Sequence, residues 1–331
     1  MVSKLVLFSL MVFVFLLSVL SFFEYLQNKN NKSYKILYKG FGWYGYLADD
    51  EINENSIKTI KELGGNAVNI NVYYEYDISS SKFILLSNLT KISEKIKLAH
   101  DNGLIVFLSP FVNLVGGHYT ASQIEDPEPF LGGAKNISVE LAKFAEENHV
   151  EIYAVWNELG LAFFKYPNST NLMNDWLQEV RVRIEPIYHG VLTTKEGVQL
   201  ELYKNYNFSG YDCIGLTFYP FTNSFARDPY TNFSYAGVGS LNEYDRVVKN
   251  EIEIIKELEE KFGINCTILG EIGIDVVNDT FVGFDYESNI TRAEAYRIVL
   301  NNSIGVVEGY FFSKFDDDIV GETIKDFYET Y

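Results

Sequence analysis

Apolar runs of strand length alternate with amphipathic helical stretches from about residue 37 to the carboxyl terminus, and this alternation constrains the fold more than any other feature. The runs read as strands at 37–43, 67–73, 104–110, 151–156, 190–194, 212–218, 266–270 and 308–313. Between them a helical period fits 54–64, 88–102, 137–148, 171–187, 241–262 and 291–302, with a weaker stretch at 196–204 and a last one at 321–330. Joints such as Leu63-Gly64-Gly65-Asn66, Asn102-Gly103 and Phe262-Gly263 carry the glycine or asparagine that ends a helix in the left-handed conformation. Strand and helix in strict succession imply one parallel sheet covered by helices, and eight such units suit a closed (β/α)8 barrel of the TIM type. An open doubly wound sheet would bring a glycine-rich phosphate turn after its first strand. Gly40-Phe41-Gly42-Trp43-Tyr44-Gly45 instead has two glycines inside the strand, so the closed barrel is expected.

The amino terminus stands apart from this pattern. Leu5 to Phe23 carries no charged side chain, which is long enough to cross a bilayer and longer than the core of an ordinary cleaved signal. The chain is therefore read as a signal anchor over 1–26, a polar tether over 27–36 and a single barrel domain over 37–331. Asn-x-Ser/Thr sequons begin at ten positions between Asn31 and Asn301, where roughly three would arise by chance, and this excess favours an exported, glycosylated body. The expected location is the extracellular face of the membrane, held by the N-terminal segment only, or secretion. With Lys+Arg 27 against Asp+Glu 45, the formal charge of -18 repels phosphate backbones, so nucleic acid is not an expected partner. Cys213 and Cys266 each open a strand and admit two readings, buried free thiols ahead of one bridge in an oxidising compartment.

Chemistry points to two carboxylates. Trp156-Asn157-Glu158-Leu159-Gly160 ends the fourth strand and Leu269-Gly270-Glu271-Ile272-Gly273 ends the seventh. In a barrel both lie on the carboxyl-terminal face, where such enzymes build their sites. Cleavage of a glycosidic bond asks for such a pair, one carboxyl to protonate the leaving oxygen and one to attack or stabilise the anomeric carbon. Asn157 is placed to bind a sugar hydroxyl, and Tyr219, from the intervening strand, to donate to Glu271. Two long connections, Phe111 to Lys135 and Tyr219 to Ser240, leave the same face. The second is rich in Tyr and Phe, a candidate wall for stacking sugar rings.

Asn157-Glu158, Asp212-Cys213-Ile214-Gly215 followed by Phe218-Tyr219-Pro220, and Gly270-Glu271-Ile272-Gly273 together resemble the retaining glycoside hydrolases of clan A, nearest to families 113, 53 and 5. The resemblance spans about Lys39 to Asp318. It implies a TIM barrel in which Glu158 is the acid/base, Glu271 the nucleophile and Tyr219 the nucleophile's hydrogen-bond partner. The chain departs from the clan in three places. Val68-Asn69-Ile70-Asn71 stands where many members carry an arginine, Pro110-Phe111 where a histidine often follows proline, and Phe311-Phe312-Ser313-Lys314-Phe315 where a tryptophan is usual. Trp43, Tyr73 or Phe315 is the candidate to stack on the sugar instead.

Other chemistries lack their residues. The 4 histidines are scattered, with no His-Glu-x-x-His, and Asp316-Asp317-Asp318 reads as a solvated loop, so neither a metal nor a cofactor is expected. No Gly-x-Ser-x-Gly elbow or P-loop is present. The expectation is an extracellular retaining glycoside hydrolase or transglycosylase acting on a β-linked polysaccharide or glycan. Its rival is a cell-surface carbohydrate-binding or envelope protein on a glycosidase-like barrel that has lost catalysis.

Overall fold

The computed structural model describes residues 36–42, 52–115, 124–163, 166–197, 203–219, 241–273, 289–313, 315 and 318–331. The anchor, the tether up to residue 35, Trp43 and the aromatic connection after Tyr219 lie outside the described residues. Among those described, no helix is long and apolar enough to cross a membrane. Residues 36–331 form one compact unit.

Strands β1 (Tyr38–Gly42), β2 (Ala67–Asp77), β3 (Lys82–Leu85), β4 (Ile105–Leu114), β5 (Ile152–Asn157), β6 (Val191–Lys195), β7 (Ile214–Phe218), β8 (Thr267–Ile272) and β9 (Gly309–Phe312) make one sheet. Its order is β6-β5-β4-β2-β1-β9-β8-β7, with β3 off the path as an antiparallel partner of β2. The two ends of that order meet: bridges Thr193↔Cys213 and Glu196↔Leu216 join β6 to β7 and close the barrel. Gly215 makes the seam possible, because a Cβ there would stand 1.8 Å from Thr194 O. The helices are α1 (Glu54–Glu62), α2 (Leu89–Asp101), α3 (Pro127–Glu147), α4 (Ser169–Ile184), α5 (Leu241–Phe262), α6 (Asn289–Ser303) and α7 (Asp318–Thr330). α1 opens on a capping box in which Asn53 accepts from Ser56 N and Ser56 Oγ accepts from Asn53 N. Gly64 and Gly103 take φ +77 and +71, the left-handed turn anticipated at the helix-to-strand joints.

Three elements differ from the sequence reading. β2 runs on past residue 73 and folds back through Ser79-Ser80-Ser81 as the β2–β3 hairpin. Helix α3 begins at Pro127, capped by Asp126, and not at 137. Gly132-Gly133 disguises its first turns, but Gly133 has a packing purpose, since a Cβ there would be 2.6 Å from the Phe83 ring. The expected helix at 196–204 does not begin at Glu196, whose backbone bridges β7.

Cys213 and Cys266 form a disulfide that ties the starts of β7 and β8, with Cα atoms 4.6 Å apart. The free-thiol reading is therefore corrected. Each cysteine opens its strand, and the two strands lie side by side in register, Ile214 opposite Thr267, which brings the sulfurs together.

Because side chains alternate along a strand, the barrel interior is filled in layers. The lower layers are apolar: Ala67, Phe107, Ile152, Ala154, Ile268 and Phe311 pack with Cys213. Gly40 leaves room for the Phe311 ring, 2.2 Å from where its Cβ would be. One step nearer the carboxyl ends the same faces turn polar, with Asn71, Ser109, Asn157, Lys195, Thr217 and Glu271 all buried. This change from apolar to polar marks the mouth.

Candidate active site

Two register shifts aim the glutamates' strands. In β5, Ala154 pairs with Thr193 and Asn157 with Lys195, so β5 holds one residue more than β6 over that span. Trp156 consequently points out against Phe83, Phe130 and Trp176, while Asn157 joins the buried polar layer. In β8, Leu269 pairs with Leu216 and Glu271 with Thr217, and the extra residue is Gly270. Strict alternation from Ile268 would turn Glu271 outward; the shift turns it into the mouth. A side chain at Gly270 would collide with the Phe107 ring at 2.8 Å, so only glycine lets β8 make this step.

Glu271 is buried, 8% exposed as a residue, and both of its carboxylate oxygens are bonded. Tyr219 Oη donates to Oε1 at 2.6 Å, and Lys195 Nζ to Oε2 at 2.9 Å. Tyr219 itself is pushed far above the ordinary phenol range, first by burial and then by the Glu271 charge, so it remains a proton donor. Lys195, whose side chain is 0% exposed, comes up from β6 inside the barrel. An ammonium and a phenol on one carboxylate fix its orientation.

Glu158 follows β5 in the left-handed conformation, φ +54 and ψ +36, uncommon for a residue with a side chain. Its N–H donates to Lys195 O at 2.7 Å, which continues the β5–β6 pairing by one residue and ties the backbones of Glu158 and Lys195 together. The conformation turns the chain at once into a 3-10 turn, Leu159–Ala162, and leaves the Glu158 side chain half-buried. Such strain is typical of a residue that must be aimed. Asn157 is buried beside it, and its Oδ1 has no hydrogen-bond partner. Asn71 Nδ2 and Thr217 Oγ1 are likewise buried and unpartnered, so a donor, an acceptor and a hydroxyl of the polar layer are unfilled.

Glu158, Glu271, Asn157 and Tyr219 thus belong to the ends of β5, β7 and β8 at one end of the barrel. The candidate stacking rings are placed less simply. Tyr73 is 5% exposed, with its ring 5.3 Å from that of Phe111. Phe315 is 3% exposed and packs edge-on to Phe41 at 4.7 Å. Among the described residues β2 carries asparagines where the clan's arginine is expected: Asn69 Nδ2 donates to Phe107 O, and Asn71 Oδ1 accepts from Ser109 Oγ. The positive charge on Glu271 comes from Lys195 instead, a residue the sequence reading passed over. Its signal was the charged Lys195-Glu196 pair directly after a strand, the same pattern that singled out the two glutamates. Among the described residues, no group of His, Cys, Asp and Glu could hold a metal ion.

No protein-family model matches the chain, and no curated protein matches it at the sequence level. Its fold, in contrast, is shared with solved glycoside hydrolases. A GH113 β-1,4-mannanase superposes with a TM-score of 0.65 at 16% identity over 89% of this chain and 99% of its own. The GH113 β-mannanase from Alicyclobacillus acidocaldarius, solved in complex with ManMIm, gives 0.64 at 14% identity, covering 89% of this chain and 97% of its own. The endo-β-1,4-mannanase from Thermotoga petrophila gives 0.62 at 13% identity over 91% of this chain and 77% of its own. At these identities the likeness shows the fold alone. The chain has a (β/α)8 barrel fold like that of the solved GH113 and GH5 enzymes.

Proposed function

We propose that the protein is an extracellular retaining glycoside hydrolase, or transglycosylase, that acts on a β-linked polysaccharide or glycan. The observation that carries this reading is the Glu271 carboxylate held between Tyr219 Oη and Lys195 Nζ, on a glycosidase barrel that also presents Glu158 at the end of β5. Glu271 attacks the anomeric carbon while Glu158 gives its proton to the departing glycosidic oxygen. Glu158 then takes a proton from water, whose oxygen displaces Glu271 with net retention. Tyr219 and Lys195 hold one carboxylate lone pair toward the anomeric carbon, and Asn157, next to Glu158 in the chain, is the residue assigned to a sugar hydroxyl. Endo-β-1,4-mannanases and endoglucanases among the structural neighbours support a β-linked hexose polymer as the first substrate class to test.

Export is supported by the apolar Leu5–Phe23 stretch, by the disulfide and by sequons whose asparagines are exposed at Asn88, Asn136, Asn168, Asn265 and Asn301. Glu158→Ala and Glu271→Ala tested on β-mannan and β-glucan should each abolish turnover. Full activity in either variant would refute the assignment.

A further inference from the structure

On the β2 side the sheet does not stop at the polar layer. Beyond Asn71 and Ser109, β2 and β4 stay paired as far as Tyr76↔Leu114, while β3 joins the other edge of β2. A three-stranded wall in the order β4-β2-β3 therefore rises above the rim. Side chains alternate across it. One face carries Tyr76 and Phe83, whose rings lie 4.7 Å apart and pack against Phe130 of α3 at 5.0 and 5.3 Å. Phe83 also meets Trp156, two residues before Glu158, at 5.8 Å. This outer face pins the hairpin to α3 and to β5.

The other face continues that of Asn71 and is set in rows across the strands. Leu86, Tyr73 and Phe111 make the lowest row, with Leu86 N donating to Tyr73 O and the Tyr73 and Phe111 rings 5.3 Å apart. Ile84, Glu75 and Asn113 make the next. Lys82 and Asp77 follow, with Val115 beside them and its N–H on Tyr76 O. Ile84 is 46% exposed, Leu86 39% and Val115 51%. One exposed aliphatic needs no explanation, but three on a single face of a pinned sheet mark a surface that binds something. At the foot of the wall Ser109 Oγ takes Asn71 Oδ1, and Asn71 Nδ2 is buried without a hydrogen-bond partner.

We propose that this face is a glycan-binding wall, which holds a linear, neutral, β-linked hexose chain of several units where it leaves the mouth. This rests on the proposed function and deepens it by naming the length and charge class of the substrate. The occupant follows from continuity and chemistry. The face begins in the layer that holds Glu271, and from Asn71 to Asp77 β2 advances roughly 20 Å at about 3.4 Å per residue, which spans several sugar rings and not one. Aliphatic and aromatic side chains suit the C–H faces of those rings, and the half-buried Glu75 between them offers a carboxylate to hydroxyls. Asp77 is already held by Ser79 and Ser80 in the turn, so Glu75 is the acceptor of the wall. A uronate chain would set its own carboxylates against Glu75 and Asp77, with Lys82 as the cation of these rows, and this selects the neutral chain. Because the outer face already fixes the hairpin, binding has little ordering left to do.

The test uses the full-length chain with Ile84→Ser/Leu86→Ser, both at exposed positions, and with Leu85→Ser as the control, since Leu85 is 43% exposed on the outer face of the same strand. Titration calorimetry in a Glu158→Gln background, which silences turnover, takes mannohexaose, cellohexaose and the matching disaccharides as probes. The preferred hexaose should bind at least about tenfold tighter than its disaccharide, and the double variant should lose about tenfold of the hexaose affinity. Leu85→Ser should match its parent, and a β-1,4-mannuronate hexamer should bind more weakly than the hexaose. With Glu158 restored, kcat/KM on the hexaose should fall about tenfold further in the double variant than kcat/KM on a 4-nitrophenyl β-glycoside. Hexaose binding that is absent in the parent, unchanged in the double variant or equally weakened by Leu85→Ser would overturn the wall. Tighter binding of the mannuronate hexamer would overturn the neutral chain. Self-association in sedimentation that the double variant abolishes, with hexaose affinity unmoved, would overturn the wall in favour of a second copy as the occupant. A chain that binds hexaose through these residues and turns over no glycoside would defeat the proposed function and leave the wall standing.

Discussion

Lys195→Met removes one charge from the buried ion pair while keeping most of the side chain's apolar bulk. In the native barrel Nζ lies 2.9 Å from Glu271 Oε2, with side-chain exposures of 0% and 10%. At that distance and an effective dielectric constant of about 20 the attraction is on the order of 6 kcal/mol, set against the desolvation of both ions. Removing one partner does not recover the other's desolvation, and such losses run at about 3–5 kcal/mol. Glu271 keeps the Tyr219 hydroxyl and a small exposure to water, which places this variant at the lower end, about 3 kcal/mol. For a domain of this size that is a fall in Tm of roughly 5 °C. Urea unfolding of Lys195→Met, Glu271→Gln and the double variant at pH 7 closes a double-mutant cycle. Because the double variant leaves no buried charge unpaired, the two losses should fail to add by about 2–3 kcal/mol. A loss below about 1 kcal/mol in Lys195→Met, additive with Glu271→Gln, would refute the idea that the pair is electrostatically coupled.

Tyr219→Phe removes the 2.6 Å hydrogen bond to the nucleophile and should cost about 1.5–3 kcal/mol of transition-state stabilisation, read as a fall of roughly tenfold to a hundredfold in kcat with a small change in KM. The disulfide spans a sequence separation of 53, and a loop of that length is worth about 4 kcal/mol, so Cys213→Ala/Cys266→Ala should melt well below the wild type, whereas equal melting temperatures would count against a stabilising bridge. Burial raises Glu196 to about 8 and Glu259 to about 7, above the unfolded value near 4.5. The native state therefore binds more protons, and this contribution is fully present below about pH 4.5 and lost as pH rises through 7–8. For Glu196 the loss is at most about 5 kcal/mol, and the stability of Glu196→Gln should fall less steeply over that range.

Much of the barrel was legible because its strands are buried on both sides and read as apolar runs bounded by glycine or asparagine. The ends of β5 and β8 were legible for the same reason: a glutamate directly after such a run stands out. Lys195 and Glu196 stand in the same position after β6, but a lysine at a strand end reads as solvated unless its partner is known, and that partner is 76 residues away. The register shifts at Ala154/Asn157 and at Gly270 leave no mark in the sequence, since they depend on how neighbouring strands pair. Helix α3 was read ten residues short because Gly132-Gly133 signals a break, and only the Phe83 ring of a hairpin not foreseen explains Gly133. The bridge between Cys213 and Cys266 needed the starts of β7 and β8 to lie in register, Ile214 opposite Thr267, which neither cysteine reveals alone.

The most direct test of Glu271 as nucleophile is covalent trapping. The full-length chain is incubated with a panel of 2-deoxy-2-fluoro-β-glycosyl fluorides, mannosyl and glucosyl first, followed by intact-mass measurement and peptide mapping. The expected result is one adduct per chain on Glu271, absent in Glu271→Ala and reduced in rate by Tyr219→Phe. An adduct on another residue, or none across a panel whose parent glycans still bind, would contradict a retaining mechanism at this site and leave a barrel that binds carbohydrate without cutting it.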